Sequence, residues 1–223
     1  MARPTAATAK PPAVWPSAAA PLLYRALRAP VRAVLARLFG LVIEGVEHLP
    51  ESGPYIVAAN HHNYLDGVVL GVTVPRTIAF LVMPRVWRAT PLHPLFHRHI
   101  GSIAVDLDRP DPAALRRALD TLGTGGIVGI FPEGPRSVRG QLEPGLPGVG
   151  LLALRSGAPV VPAAIRGTYE ALVGRRCYVP RFHPLAVRFG SARRFTRPGL
   201  SSARAARQEV TARIMADIAE LLA

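Results

Sequence analysis

The sequence predicts an α/β domain, with a mostly parallel or mixed sheet flanked by helices. Three observations point there. Seven short apolar runs, each too short to span a membrane, recur at about 41–44, 55–59, 77–83, 102–106, 126–131, 159–165 and 184–189. Helical patterns fall between several of them, and that alternation is the mark of a sheet covered on both faces. The chain has 223 residues, 49% of them apolar and 18% charged, which suits one domain with a substantial core.

Residues 1–20 read as a disordered Pro/Ala-rich tail. Pro4, Pro11, Pro12 and Pro16 deny it a helix, and no compact apolar stretch marks a signal peptide. Residues 21–39 differ. Leu23, Leu27, Val31, Val34, Leu35 and Leu38 form one helical stripe, with Arg25, Arg28, Arg32 and Arg37 on other faces. A basic amphipathic helix lies on an anionic bilayer or packs on a core with a solvated arginine face. Pro30 is expected to split or kink it. The domain proper is expected over 40–223.

The longest apolar runs, Val68–Val74 and Ile78–Met83, each close on a Pro-Arg pair. They stop well short of the roughly 18–20 residues that a spanning helix needs. Helices are expected at about 67–74, 112–122 and 146–156. A last one at 202–222 carries Ala206, Val210, Ile214, Ile218 and Leu221 on one stripe and Ser201 or Ser202 as cap.

The chain holds 27 basic and 14 acidic residues, a net +13, and every basic residue except Lys10 is arginine. The surplus sits in residues 1–50 (+4) and 151–223 (+8), while residues 51–150 are nearly neutral at +1. Such a balance favours an anionic partner: a membrane surface, a phosphorylated substrate or nucleic acid. Nucleic acid fits less well, because the arginines are not interleaved with aromatics and no nucleic-acid motif appears. The single cysteine, Cys177, excludes a disulfide framework and a multi-cysteine metal site.

Four segments carry chemistry. In Tyr55-Ile-Val-Ala-Ala-Asn-His61-His62-Asn-Tyr-Leu-Asp66-Gly67 an apolar strand ends in two histidines and a carboxylate. Ligand sites form at such carboxyl ends of strands. Histidine accepts a hydroxyl proton near neutral pH, and a carboxylate on its other nitrogen fixes the tautomer. Asp66 reads equally as a helix N-cap. In Gly126-Ile-Val-Gly-Ile-Phe131-Pro132-Glu133-Gly134-Pro135-Arg136-Ser137 a strand runs into a loop whose N–H groups, guanidinium and hydroxyl suit a phosphate. The others are Gly101-Ser-Ile-Ala-Val-Asp106-Leu-Asp108-Arg109 and Ala158-Pro-Val-Val-Pro162-Ala-Ala-Ile165. Pro162 cannot donate to a ladder, so it is expected at an edge or a bulge.

In this order and spacing the four segments resemble the glycerolipid acyltransferases, the 1-acylglycerol-3-phosphate (lysophosphatidic acid) acyltransferases and relatives. The family pattern is His-x4-Asp, Gly-x-Ile-x-x-x-Arg, Phe-Pro-Glu-Gly-Thr-Arg-Ser and Val-Pro-x-x-Ile, matched over about 41–170. Pro135 replaces the usual threonine, and two residues separate Asp106 from Arg109. The resemblance implies acyl transfer from acyl-CoA or acyl carrier protein to a lysophospholipid hydroxyl, most simply that of 1-acylglycerol 3-phosphate. It implies His61 as general base and Asp66 as its partner. Arg109, Glu133, Gly134, Arg136 and Ser137 would hold the acceptor, and Pro162 would wall the acyl-donor site. No metal or bound cofactor is implied, and the location is the cytoplasmic face of a membrane, peripherally bound. Glycerol 3-phosphate, a lyso-ornithine lipid or a glycolipid are other acceptors of that family. His61-His62-x-x-x-Asp66-Gly67 also resembles the signature of condensation-domain acyltransferases, in which the second histidine is the base, so His61 and His62 are rivals. Those domains are about twice this length and lack the Phe-Pro-Glu-Gly loop.

Overall fold

The computed structural model describes residues 22–84, 97–98, 100–106, 109, 111–134, 137, 139–172, 181–196 and 202–223. All seven apolar runs form strands of one sheet: β1 (Val42–Glu44), β2 (Tyr55–Ala59), β3 (Ile78–Val82), β4 (Ile103–Ala104), β5 (Ile127–Ile130), β6 (Val160–Arg166) and β7 (Ala186–Phe189). Their order is β1-β7-β6-β2-β5-β3-β4. Every pairing is parallel except β6 with β7.

The helices among the described residues include α1 (Leu22–Phe39), α2 (Tyr64–Thr73), α3 (Pro112–Gly123), α4 (Gly148–Ser156), α5 (Thr168–Ala171) and α6 (Ala203–Leu222), with a short 3-10 turn over Val46–His48. They divide between the faces of the sheet. Successive strand side chains point to opposite faces, so β2, buried at all five positions, feeds both. Tyr55, Val57 and Ala59 join a core with Leu35 and Phe39 of α1 and Val69, Leu70 and Val72 of α2. Ile56 and Ala58 join a second core with α3, α4 and α6, through residues such as Ala118, Leu152 and Ile214.

Three details differ from the sequence expectation, the first being that Pro30 does not split its helix. The helix over 21–39 is one uninterrupted element with Pro30 inside it. Proline removes one backbone bond there, but both halves are held from outside the helix. Tyr24 Oη donates to Gly71 O at 2.6 Å and Arg28 Nη1 to Pro75 O at 2.8 Å, while Leu35 and Phe39 are buried in the core. Secondly, α2 starts at Tyr64, because Asn63 caps it. Thirdly, β4 is only two residues long: Val105 N–H still reaches Val82 O, but Asp106 N–H is taken by the Asp111 carboxylate. Asp111 also caps α3 by accepting from Ala114 N–H.

Pro162 meets the expectation of a bulge. β6 is internal, between β2 and β7, but Ala163 pairs with Phe189 and Val160 with Arg193, so the partner segment carries one extra residue beside the proline. Gly190 N–H donates to Pro162 O at 2.8 Å, just beyond the last β7 residue. The missing proline donor therefore falls at that irregularity, and the pairing resumes beyond it, where Val160 and Arg193 exchange both N–H···O bonds at 2.7 and 2.8 Å. The expected tail over 1–20, and Cys177, lie outside the described residues.

Candidate active site

The loop between β2 and α2 begins where the sheet pairing of β2 ends. Asn60 is buried there, and its side chain replaces the ladder: Nδ2 donates to Ile165 O at 2.9 Å and Oδ1 accepts from Ile165 N–H at 2.7 Å. Asn63 does similar work one turn on. Its Oδ1 accepts from Leu65 N–H, and its Nδ2 donates to Thr168 O at 2.6 Å. The segment carrying both histidines is thus fastened at each end to β6 and the turn after it.

Asp66 is fully buried and gathers three donors on one oxygen. Oδ2 accepts from His62 N–H at 2.6 Å and Asn63 N–H at 2.7 Å, and lies 2.8 Å from His61 Nδ1. The N-cap reading of Asp66 is corrected, while its contact with His61 is present. It completes the capping box of α2, with Asn63 rather than itself as the N-cap, and it also holds His61. With the proton on Nδ1 directed at Asp66, the lone pair of His61 sits on Nε2. Among the described residues Asp66 Oδ1 has no hydrogen-bond partner. The ring of His62 turns away: its Nδ1 lies 3.3 Å from Thr168 Oγ1, and it meets Tyr169 edge-on.

The Phe131–Ser137 loop clasps His61. The imidazole stacks on Phe131 at 4.1 Å between centroids and 14° between planes, and Phe131 stacks in turn on Phe80. Glu133 Oε1 accepts from His61 N–H at 2.6 Å, and Oε2 accepts from Glu143 N–H at 2.7 Å. Ser137 N–H donates to His61 O at 2.9 Å. Gly134 closes the turn with φ of 73°, a left-handed conformation natural to glycine, and its N–H donates to Phe131 O. Burial pushes the Glu133 carboxyl above its ordinary range. The N–H groups of Glu143 and His61, and the His61 charge, pull the other way with less effect, and the Asp66 charge adds a small push upward.

A cavity of about 970 Å³ opens over these residues. It straddles the carboxyl edge of the sheet, where α/β ligand sites form. Tyr24, Leu27, Arg28 and Val31 of α1 and Gly67, Val68 and Gly71 of α2 line it on one side. Ala114 and Ala118 of α3 and Val149 and Leu152 of α4 line it on the other, and the lining is overwhelmingly apolar.

The sequence-derived candidates fall into distinct places around this cavity. His61, Gly134 and Arg109 line it. Asp66, Glu133 and Ser137 are buried and are not among its lining residues; the N–H groups of Gly134 and Ser137 are already committed to the loop and to His61. Pro162 is not among its lining residues and packs near Gly190. Arg136 and Asp108 are outside the described residues. Sequence reasoning missed Asn60, Asn63 and Thr168 as the fastenings of the histidine loop. The signal was present, as two asparagines flanking the pair of histidines. Among the described residues no group of three or more His, Cys, Asp or Glu is placed to hold a metal.

The acyltransferase family model matches residues 40–166, more than half the chain. The chain belongs to the acyltransferase family. It is an O-acyltransferase whose curated relatives act in glycerolipid synthesis. It is 27% identical over 146 residues to the 1-acyl-sn-glycerol-3-phosphate acyltransferase of Bacillus subtilis, covering 65% of this chain and 72% of that one. It is 32% identical over 131 residues to the chloroplastic 1-acyl-sn-glycerol-3-phosphate acyltransferase BAT2 of Brassica napus. That match spans 56% of this chain but 37% of the plant protein. The crystal structure of the lysophosphatidic acid acyltransferase PlsC from Thermotoga maritima superposes with a TM-score of 0.72 at 25% identity, covering 90% of this acyltransferase and 80% of that chain.

Proposed function

We propose that this acyltransferase moves a fatty acyl group from a thioester, acyl-CoA or acyl carrier protein, to the free hydroxyl of a lysophospholipid. The favoured acceptor is 1-acylglycerol 3-phosphate, the substrate named for the relatives. The observation that carries the reading is the His61–Asp66 pair, with His61 lining an apolar cavity at the carboxyl edge of the sheet. His61 Nε2 takes the hydroxyl proton as the oxygen attacks the thioester carbonyl carbon. The tetrahedral adduct collapses, the C–S bond breaks, and the proton passes from His61 to the departing sulfur, so the base is restored. Asp66 holds the tautomer and stabilises the imidazolium that forms in between. Arg109, exposed and lining the cavity along with Arg28 and Arg207, is the cation this reading assigns to the acceptor's phosphate. No metal takes part in this scheme.

The protein works on a membrane surface in this reading, at the cytoplasmic face. No described helix is long and apolar enough to cross a bilayer. Instead α1 presents Leu27, Val34 and Leu38 to solvent, with Arg25, Arg32 and Arg37 also exposed. Apolar side chains beside arginines suit an anionic interface.

The experiment is thioester consumption with a panel of lysolipid acceptors, run on wild type, His61→Ala and His62→Ala. His61→Ala loses roughly 10²–10⁴-fold in rate, the usual worth of a general base, while His62→Ala keeps most of it. A deeper loss in His62→Ala at unchanged folding would hand the base to His62.

A further inference from the structure

The reaction joins two molecules that each carry a long apolar chain, and the cavity has an arm on each face of the sheet. The α3/α4 arm runs among deeply buried side chains: Ala114, Ala118, Val149 and Leu152 are each at most 2% exposed. Its mouth carries the exposed Leu146, just before α4, while the α1/α2 arm has exposed apolar residues on both walls of its rim. Leu27 on α1 is 46% exposed and Val68 on α2 is 43% exposed, and both line the cavity.

The wall between that rim and His61 is bare backbone at two positions, Gly67 and Gly71. Tyr64, Gly67, Val68 and Gly71 follow the three- and four-residue steps of one helical face. A Cβ built on Gly67 would meet nothing within 4 Å, and one on Gly71 would meet only the Tyr24 hydroxyl, at 3.7 Å. Glycine inside a helix lowers its stability, and nothing packs close enough to Gly67 to require it there. The missing side chains leave a trough along α2 that starts beside Asp66 and His61. Across it stand Tyr24, Leu27, Arg28 and Val31, and α1 is held at this spacing by the bonds from Tyr24 and Arg28 to the end of α2.

We infer that the α1/α2 cleft, floored by Gly67 and Gly71, is the subsite for the acyl chain that the lysophospholipid acceptor already carries. This rests on the reaction proposed above. A lysophospholipid resides in a bilayer, and the rim of this arm, Leu27 and Val68, is continuous with the exposed Val34 and Leu38 of α1, whereas on the other arm the exposed large apolar lining residue is Leu146. The chain slides in from the rim, and the glycerol hydroxyl stops at His61. The buried α3/α4 arm is left for the acyl group being transferred.

The test narrows the cleft from each wall, with Gly67→Leu on α2 and, separately, Leu27→Trp on α1. Both positions have room for the added atoms, and Leu replaces a helix-interior glycine, so the melting temperature of Gly67→Leu equals or exceeds that of wild type. Each methylene kept out of an apolar site costs about fourfold in affinity. Two displaced methylenes therefore lower affinity by about tenfold or more. Equilibrium binding of palmitoyl lysophosphatidic acid, without donor, weakens by that factor in both variants. In turnover, the ratio of kcat/KM for the palmitoyl over the hexanoyl acceptor falls by a similar factor. Unchanged binding and an unchanged ratio overturn the inference. So does a loss that follows the donor's chain length instead, which would seat the donor in this cleft. If wild type binds the lysolipid but transfers nothing to it, the reaction is wrong; the binding comparison still decides whether the cleft holds a single acyl chain.

Discussion

Glu133→Gln isolates what the Phe131–Ser137 loop does. The Glu133 carboxylate is 4% exposed, and its two oxygens accept one backbone N–H each, from His61 and from Glu143. Glutamine has the same shape but one acceptor and one donor. Whichever way the amide turns, its NH2 faces an N–H, and one buried backbone donor loses its partner. Such an orphan costs about 1–3 kcal/mol. In a chain of this size each kcal/mol moves the melting temperature by about 2–4 °C, so a fall of roughly 2–12 °C is expected by calorimetry or circular dichroism. If the amide oxygen stays with Glu143, the main chain at the base is released, and kcat falls while the acceptor KM holds. Glu133→Asp, one methylene shorter, cannot span both donors and is expected to fail in the same way. The reasoning is refuted if Glu133→Gln raises the acceptor KM with melting temperature and kcat unchanged. That result would mean the carboxylate meets the acceptor and not the loop.

Asp66→Asn is expected to lower kcat on the order of 10²–10⁴-fold, because the amide cannot serve three donors and hold the His61 tautomer; near-normal turnover with intact folding would remove Asp66 from the chemistry. Burial raises the Glu133 carboxyl above its ordinary range, so the folded chain holds that proton more tightly than the unfolded one. Stability from this group is therefore present below the ordinary carboxylate pKa, of about 4.3, and is lost as pH rises through the raised value. Glu133→Gln lacks this slope, so its stability gap to wild type should narrow as pH climbs through that interval; a widening gap in denaturant titrations would reverse the sign of the argument. Replacing Arg25, Arg32 and Arg37 together by alanine should weaken flotation with anionic vesicles, at about 1 kcal/mol per arginine and less in high salt. Undiminished flotation would place the membrane contact elsewhere, for example in the arginine-rich stretch after residue 175.

Much of the architecture was legible because apolar runs and their punctuation are local. All seven strands and the helices α1 to α4 and α6 stand close to where pattern and spacing put them. Legibility failed where a distant partner decided the outcome. Pro30 does not break α1, because Tyr24, Arg28, Leu35 and Phe39 are held from outside the helix. Pro162 did mark a bulge, but the extra residue lies on the partner segment, between Gly190 and Arg193, which no local pattern announces. The His61–Asp66 contact was readable, since a five-residue step and a helix start bring the two together. The partners of Glu133 were not: its motif suggested a substrate group, whereas its carboxylate meets main-chain N–H groups 72 and 10 residues away. The grip of Asn60 on Ile165, 105 residues on, was equally invisible to spacing.

The single Asp66 oxygen that serves both the first turn of α2 and His61 has a consequence for inheritance. A descendant chain that abandoned acyl transfer would still need an acceptor at that position to begin the helix, so mutational drift would be slow to erase the aspartate. His61 has no comparable claim on the helix. In a diverged copy of this protein, a surviving aspartate would testify only that the scaffold is intact. The presence or absence of the histidine is the better witness to whether the copy still works.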